Sequence, residues 1–230
     1  MLLRVGIDKG SGGQYAPIFE SGFFEFIPIP RGKISEDARG KTYKDRVGRT
    51  RRPLSNYLRP AIENCVIHDD PEFVTFTYGD DTIKAHQIRK LEPDDLLVFY
   101  AGLKPWPEPF MNSPYGSGLY IVGYFTIERI IDFNDLRPGE MDLCARNAHI
   151  AERTTRNLVV AKGVKDRSRL LDLAIPISQI HNDRAGRPNL HVSDEMQTLL
   201  GISGSIQRSI PPRFIESEEY LANLRNLIEL

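Results

Sequence analysis

Two runs of apolar residues constrain this chain most: Leu96-Leu97-Val98-Phe99-Tyr100-Ala101, and Leu119-Tyr120-Ile121-Val122-Gly123-Tyr124-Phe125-Thr126-Ile127. Both are of strand length, rich in β-branched and aromatic side chains, and free of charge. A strand that is apolar on both faces must be covered on both. The pair therefore reads as the central hairpin of a barrel-like sheet. The turn Glu92-Pro93-Asp94-Asp95 introduces the first run, and Gly123 marks a bulge or a close backbone approach in the second. The connection from Leu103 to Gly118 carries Pro105, Pro107, Pro109 and Pro114 with Trp106, Phe110 and Tyr115 among them. It is stiff without being regular, and connections this long in compact domains are usually functional. Trp106, between two prolines, either stacks on a base or plugs the open end of the barrel.

The chain begins with a further buried strand, Leu2 to Ile7, which breaks into Asp8-Lys9-Gly10-Ser11-Gly12-Gly13. Glycines let the backbone take positive φ and bring bare N–H groups close to a ligand. Lys9 adds a positive charge and Asp8 a carboxylate, an arrangement suited to an anionic small molecule. The order of residues excludes a P-loop, whose lysine follows the last glycine. Pro17-Ile18-Phe19 excludes the helix that a dinucleotide fingerprint needs. A glycine-rich hairpin or bulge between two strands is the competing reading.

Other elements follow the same grammar. Phe23 to Pro30 reads as a strand ending at its prolines, and Pro53 to Asn64 as a short helical piece. Phe73 to Tyr78 reads as a strand, Gly79-Asp80-Asp81 as a turn, and Ile83 to Leu91 as a short helix. Arg137 to Ala151 reads as helical, Asn157 to Ala161 and Leu170 to Ile177 as strands. Ser193 caps a helix that stops at Gly201. Ser217 caps a last helix with Tyr220, Leu221, Leu224, Leu227 and Ile228 on one stripe. The expected fold class is α+β, with peripheral helices and a C-terminal helical extension. One domain over 1–230 is expected, its core in 1–160 and a strand–helix extension in 161–230 packed on it.

The 230 residues, 40% hydrophobic and 27% charged, describe an ordinary globular protein. No apolar run reaches the ~18 residues of a membrane span, and without an N-terminal apolar h-region in the sequence, secretion is not expected. Cys65 and Cys144 lack paired spacing, so a reducing cytoplasm is expected and cysteine-bound zinc is not. A net charge of −1 excludes a generally basic nucleic-acid binder. Charge is nevertheless concentrated: Arg39, Lys41, Lys44, Arg46, Arg49, Arg51 and Arg52 oppose Asp45 alone between 39 and 52. A second basic rise runs from Arg146 through Arg153 to Arg169. Such segments focus an anionic ligand or simply form solvated surface.

Two constellations could carry chemistry. His68, Asp69, Asp70 and Glu72 place carboxylates beside a histidine, which suits a divalent metal or general acid–base work, with Asp8 able to join. The bland reading is an exposed turn at Asp69-Asp70-Pro71-Glu72. Arg146, Asn147 and His149 offer groups suited to phosphates and base edges on one or two helical turns, although a lone histidine is more often structural. No HExxH, GxSxG or DxDxG pattern occurs.

Several strings resemble the nucleotide modification associated domain 3 family. They are Leu2 to Gly13, Pro17-Ile18-Phe19, Phe24-Glu25, Ile27-Pro28-Ile29-Pro30, and His68 with Asp70 through Asp80. The resemblance covers most of the first 150 residues and implies a role in making or handling modified bases in phages and prokaryotes. Leu91 to Tyr100 followed by Tyr120 to Ile127 is similar to PUA-like domains, a group that includes ASCH, EVE and YTH. That likeness implies a PUA-like mixed β-barrel core with a base-holding pocket beside it, where Tyr100 and Trp106 would stack. The extension beyond Arg156 departs from a minimal domain of this kind.

Two functions from different classes stand side by side. In the first, the protein binds a nucleotide or a base in nucleic acid within a DNA base-modification pathway. Lys9, Gly10, Ser11, Gly12 and Gly13 would hold phosphate, Tyr100 and Trp106 the base, and Arg146, Asn147 and His149 would contribute polar contacts. In the second, Asp8, His68, Asp70 and Glu72 catalyse phosphoryl or glycosyl transfer or hydrolysis on a nucleotide, with Mg2+ or Mn2+ as the metal. Expected partners are a nucleotide or nucleic-acid base and proteins of a base-modification system, not a membrane.

Overall fold

The structure, a computed structural model, describes residues 1–31, 42–107, 114–152, 155–183, 185–207 and 210–230. Arg39, Lys41 and Arg153 of the basic segments lie outside them. The first half contributes β1 (Leu2–Val5), β2 (Ala16–Ile18), β3 (Ile29–Arg31), β4 (Val66–His68), β5 (Thr77–Asp80), α1 (Ala85–Ile88) and β6 (Leu96–Pro105). Next come β7 (Gly118–Asp132), the one-turn helices α2 (Glu140–Leu143) and α3 (Ala148–Ala151), β8 (Val159–Gly163) and β9 (Arg169–Pro176). Last are β10 (Ser178–Asn182), β11 (Pro188–Val192), α4 (Asp194–Leu200) and α5 (Glu218–Leu227).

The fold is mixed α+β, a curled half-barrel sheet with few helices. The two apolar runs form its centre: β6 and β7 pair antiparallel, and the register slips where Phe99 faces Gly123 but Tyr100 faces Ile121. That bulge sits at the glycine that marked it, where a Cβ would stand 2.8 Å from the Arg169 carbonyl. β7 is long enough to serve several partners. Its first half lies between β6 and β9, and its second half turns away to pair with β8, which carries β5 on its far edge. β1 and β2 extend the other side, each parallel to β6. Phe73, Phe99 and Phe125 meet edge-to-face inside the curl, with centroids 4.7–5.9 Å apart. The main apolar cluster runs from Met1 to Ile228, so residues beyond 161 help to build it.

Four expectations from sequence are corrected. Phe73 to Tyr78 is not one strand. Residues 73–76 form a turn, Phe76 has a φ of +57°, and β5 starts only at Thr77. The cause is the buried Glu72 carboxylate, which accepts from the Val74 and Thr75 amides and the Thr75 hydroxyl and winds the chain around itself. Gly79 and Asp80, expected in a turn, are consequently strand residues. Phe23 to Pro30 makes only isolated bridges before β3, because its backbone meets different neighbours in succession: Phe23 bridges to Leu173 and Phe24 to Ile18. Arg137 to Ala151 is two single turns, not one helix: the first ends where Cys144 leaves helical geometry, and extended Asn147 starts the second, capping it with its side chain. The β10–β11 hairpin was not foreseen. Ser193 and Gly201 bound α4 as their residue types demand, with the Ser193 hydroxyl accepting from Met196 and Gly201 at a φ of +65°.

Candidate metal centre

His68, Asp70 and His149 offer one ligand atom each, and these atoms lie within 4.8 Å of one another. His68 ends β4, and Asp70 follows it two residues later on the way into the Glu72 turn. His149 is set by the short α3, whose cap fixes its direction: the Asn147 carbonyl oxygen accepts from the His149 amide at 3.1 Å. The other end of the same side chain donates to Asp70 Oδ1 at 3.0 Å. One fully buried asparagine thus aligns a carboxylate and an imidazole that are far apart in the chain. β5 completes the arrangement, because the Gly79 amide donates to both Asp70 oxygens at 3.1 Å. Only glycine lets β5 approach so closely. A Cβ there would lie 2.8 Å from Asn147 Oδ1 and 2.9 Å from His149 Cδ2.

The electrostatics suit a cation. Burial pushes the Asp70 carboxyl well above its ordinary range, against the opposing hydrogen bonds from Gly79 and Asn147. These donors are neutral, and the one basic side chain near it among the described residues is His149, whose Nε2 lies 3.8 Å away and pairs as an ion only when protonated. Burial, and then the neighbouring His68, hold His149 below its ordinary value, in the neutral form that a metal takes. His68 is oriented from behind by Glu152 Oε1, 2.9 Å from Nδ1, which leaves Nε2 for a ligand. Burial raises the Glu152 carboxyl, but the His68 hydrogen bond and charge, with Arg31 at 3.3 Å, outweigh it and hold it below its ordinary value. A carboxylate behind a histidine is the usual outer support of a metal ligand. Bonds of about 2.1 Å place tetrahedral ligand atoms roughly 3.4 Å apart, so small side-chain rotations close the triad on an ion. The triad lines a cavity of about 190 Å3, which Arg4, Lys84 and Asp80 also border.

The structure thus joins residues from both constellations read in sequence: His68 and Asp70 from one, Asn147 and His149 from the other. Glu72 closes its own turn instead. Asp8 Oδ1 accepts from the Gly10 and Ser11 amides, and its Oδ2 pairs with Arg4 at 3.2 Å. Lys9 and Gly10 border a different, larger cavity of about 520 Å3, together with Asp8 and Arg4. Gly12 lies against Ile7, and Gly13 lies under the Arg59 guanidinium; Ser11 is half-buried in the turn. Tyr100 is buried and donates to the Ile206 carbonyl at 3.2 Å. Trp106 packs edge-on against Tyr57 at 5.6 Å, and Arg146 is exposed. Sequence reasoning missed Glu152, Gly79 and Arg31. Glu152, three residues beyond His149, was the one with a readable signal, since that spacing puts both on one side of a helical turn.

Among the described residues no helix is long and apolar enough to cross a membrane. No curated protein and no solved structure matches the chain significantly. A family model does, over residues 1–203, which include every residue of the triad and its supports. The chain belongs to the nucleotide modification associated domain 3 family, which associates it with a nucleotide-modification pathway.

Proposed function

We propose that the protein is a metal-assisted enzyme acting on a nucleotide, with a divalent ion held by His68, Asp70 and His149. The observation that carries this reading is the convergence of two imidazoles on a buried carboxylate that has only neutral hydrogen-bond donors, at the wall of a cavity. Two histidines and one carboxylate leave coordination positions open for water and substrate, as catalytic sites require. Imidazole donors favour Zn2+, Fe2+ or Mn2+ over Mg2+. Such an ion lowers the pKa of bound water and polarises a phosphoryl or glycosidic oxygen. Asn147 and Gly79 hold Asp70 in place, Glu152 fixes the His68 tautomer, and Arg4 and Lys84 meet the negative charge of the substrate. The curled sheet fits a PUA-like barrel core, beside which such a site would lie.

The test is metal titration and turnover. Purified protein stripped with chelator takes up one equivalent of Zn2+ or Mn2+ by calorimetry, and with metal restored it changes the mass of one component of a mixed nucleotide pool. His149→Gln and Asp70→Asn each lose both properties while circular dichroism shows the fold retained. Wild-type protein that takes up none of these ions, or a His149→Gln variant that binds and turns over as well as wild type, sinks the reading.

A further inference from the structure

The triad cavity, at about 190 Å3, is smaller than the roughly 300–1,000 Å3 typical of small-molecule sites. A nucleotide worked on there must place most of its bulk elsewhere. The 520 Å3 cavity has the required size and shares a wall with the first, because Arg4 borders both. Arg4 is 92% buried, since only 8% is exposed, and its Nε has no partner among the described residues although Nη2 pairs with Asp8. An uncommitted guanidinium N–H between two cavities is a costly feature unless something accepts from it.

The rest of the larger cavity has the chemistry of a nucleotide site. The N-terminal segment contributes the Asp8–Gly10 turn, with Lys9, and Tyr15 to its lining. The β10–β11 hairpin contributes Ile180, Leu190 and Asn189. The Asn189 carboxamide oxygen is buried without a partner among the described residues, and a carboxamide is suited to the donor and acceptor edge of a base. Ile180 stands 66% exposed at this wall and adds apolar surface to the lining.

We infer that the larger cavity is the binding site for a nucleoside 5′-phosphate unit, whose base lies between Tyr15 and the hairpin and is read by Asn189, and whose phosphate meets Lys9 and Arg4. The inference rests on the nucleotide reading above, but not on the metal. It assigns the hairpin, which sequence did not reveal, to substrate recognition.

The experiment separates the two ideas. Chelator-treated protein is titrated with the four deoxynucleoside 5′-monophosphates, the matching nucleosides and a five-residue single-stranded DNA. Saturable binding of at least one monophosphate is expected, weakened tenfold or more by Asn189→Leu and by Ile180→Trp, which blocks the opening from an exposed position. Lys9→Ala is expected to bring monophosphate affinity down towards that of the nucleoside. Tighter binding of the oligonucleotide, sensitive to the same variants, identifies the unit as part of a DNA strand; equal or weaker binding identifies it as free nucleotide. Either supports the site. Absence of saturable binding to every probe overturns it, as does binding that His149→Gln abolishes but the hairpin variants leave intact. Zn2+ titration of nucleotide-free protein is read separately, so failure of the metal centre is not confused with failure of this cavity.

Discussion

At the scale of single residues, the site depends on which carboxylates are already committed. Asp8, Glu25 and Glu72 are all buried, and each holds backbone amides: Asp8 those of Gly10 and Ser11, Glu25 those of Arg49 and Thr50, Glu72 those of Val74 and Thr75. They fold loops. Asp70 also accepts a backbone N–H, yet faces an imidazole rather than its own turn. Nothing in sequence distinguishes Asp70 from Glu72 two residues later; the difference is which amides come within reach. Glu152 provides the sharpest test at this scale. Glu152→Gln keeps an oxygen near His68 but loses the charge shared with Arg31. Metal affinity is expected to fall about tenfold to a hundredfold with little change in melting temperature, measured by calorimetry beside a thermal scan. Unchanged affinity would show that Glu152 is a surface ion-pair partner only.

At the scale of elements, the site is made by three short pieces that sequence described poorly. The long apolar strands β6 and β7 were legible because periodicity and β-branched content agree over many residues. β4, β5 and α3 have three or four residues each, too few for a pattern, and their positions follow from side chains holding backbone. The β5 boundary shows this: Phe73-Val74-Thr75-Phe76 has strand composition, yet Glu72 winds it into a turn and Phe73 enters the aromatic core. Gly79 is where these pieces touch. Gly79→Ala needs no unusual backbone angle, but its methyl group displaces Asn147 and His149 together. A destabilisation of about 1–3 kcal/mol is expected from overpacking, with metal binding weakened well beyond that of a surface control such as Ala145→Ser. Equal metal affinity would mean that β5 can retreat without disturbing the triad.

At the scale of the whole molecule, we propose that the core of 1–160 and the extension of 161–230 melt as one cooperative unit. Leu224 of α5 is buried in the cluster that also contains Met1 and Val98, and the Tyr220 ring lies over Gly201 at the end of α4. Leu224→Ala is expected to cost about 2–5 kcal/mol, a fall of roughly 4–20 °C at this chain length. Differential scanning calorimetry should show a single shifted transition; a new early transition with the main one unmoved would make the extension a separate unit. The amphipathic stripe of α5 was readable from its spacing. Which surface it covers was not, because that surface is assembled from the two ends of the chain.

The Asn147–Asp70 hydrogen bond spans 77 positions of sequence. The halves of the triad are therefore strangers until β5 through β7 have been laid down between them, and the unfolded chain has no ready nest for an ion. A ligand that recognises only the finished fold acts as a clasp on it, adding about 2.7 kcal/mol at a hundred times its dissociation constant. During synthesis the clasp can close only after the second half of the triad has emerged. For the metal centre proposed above, metal supply would then govern how long each newly made copy survives.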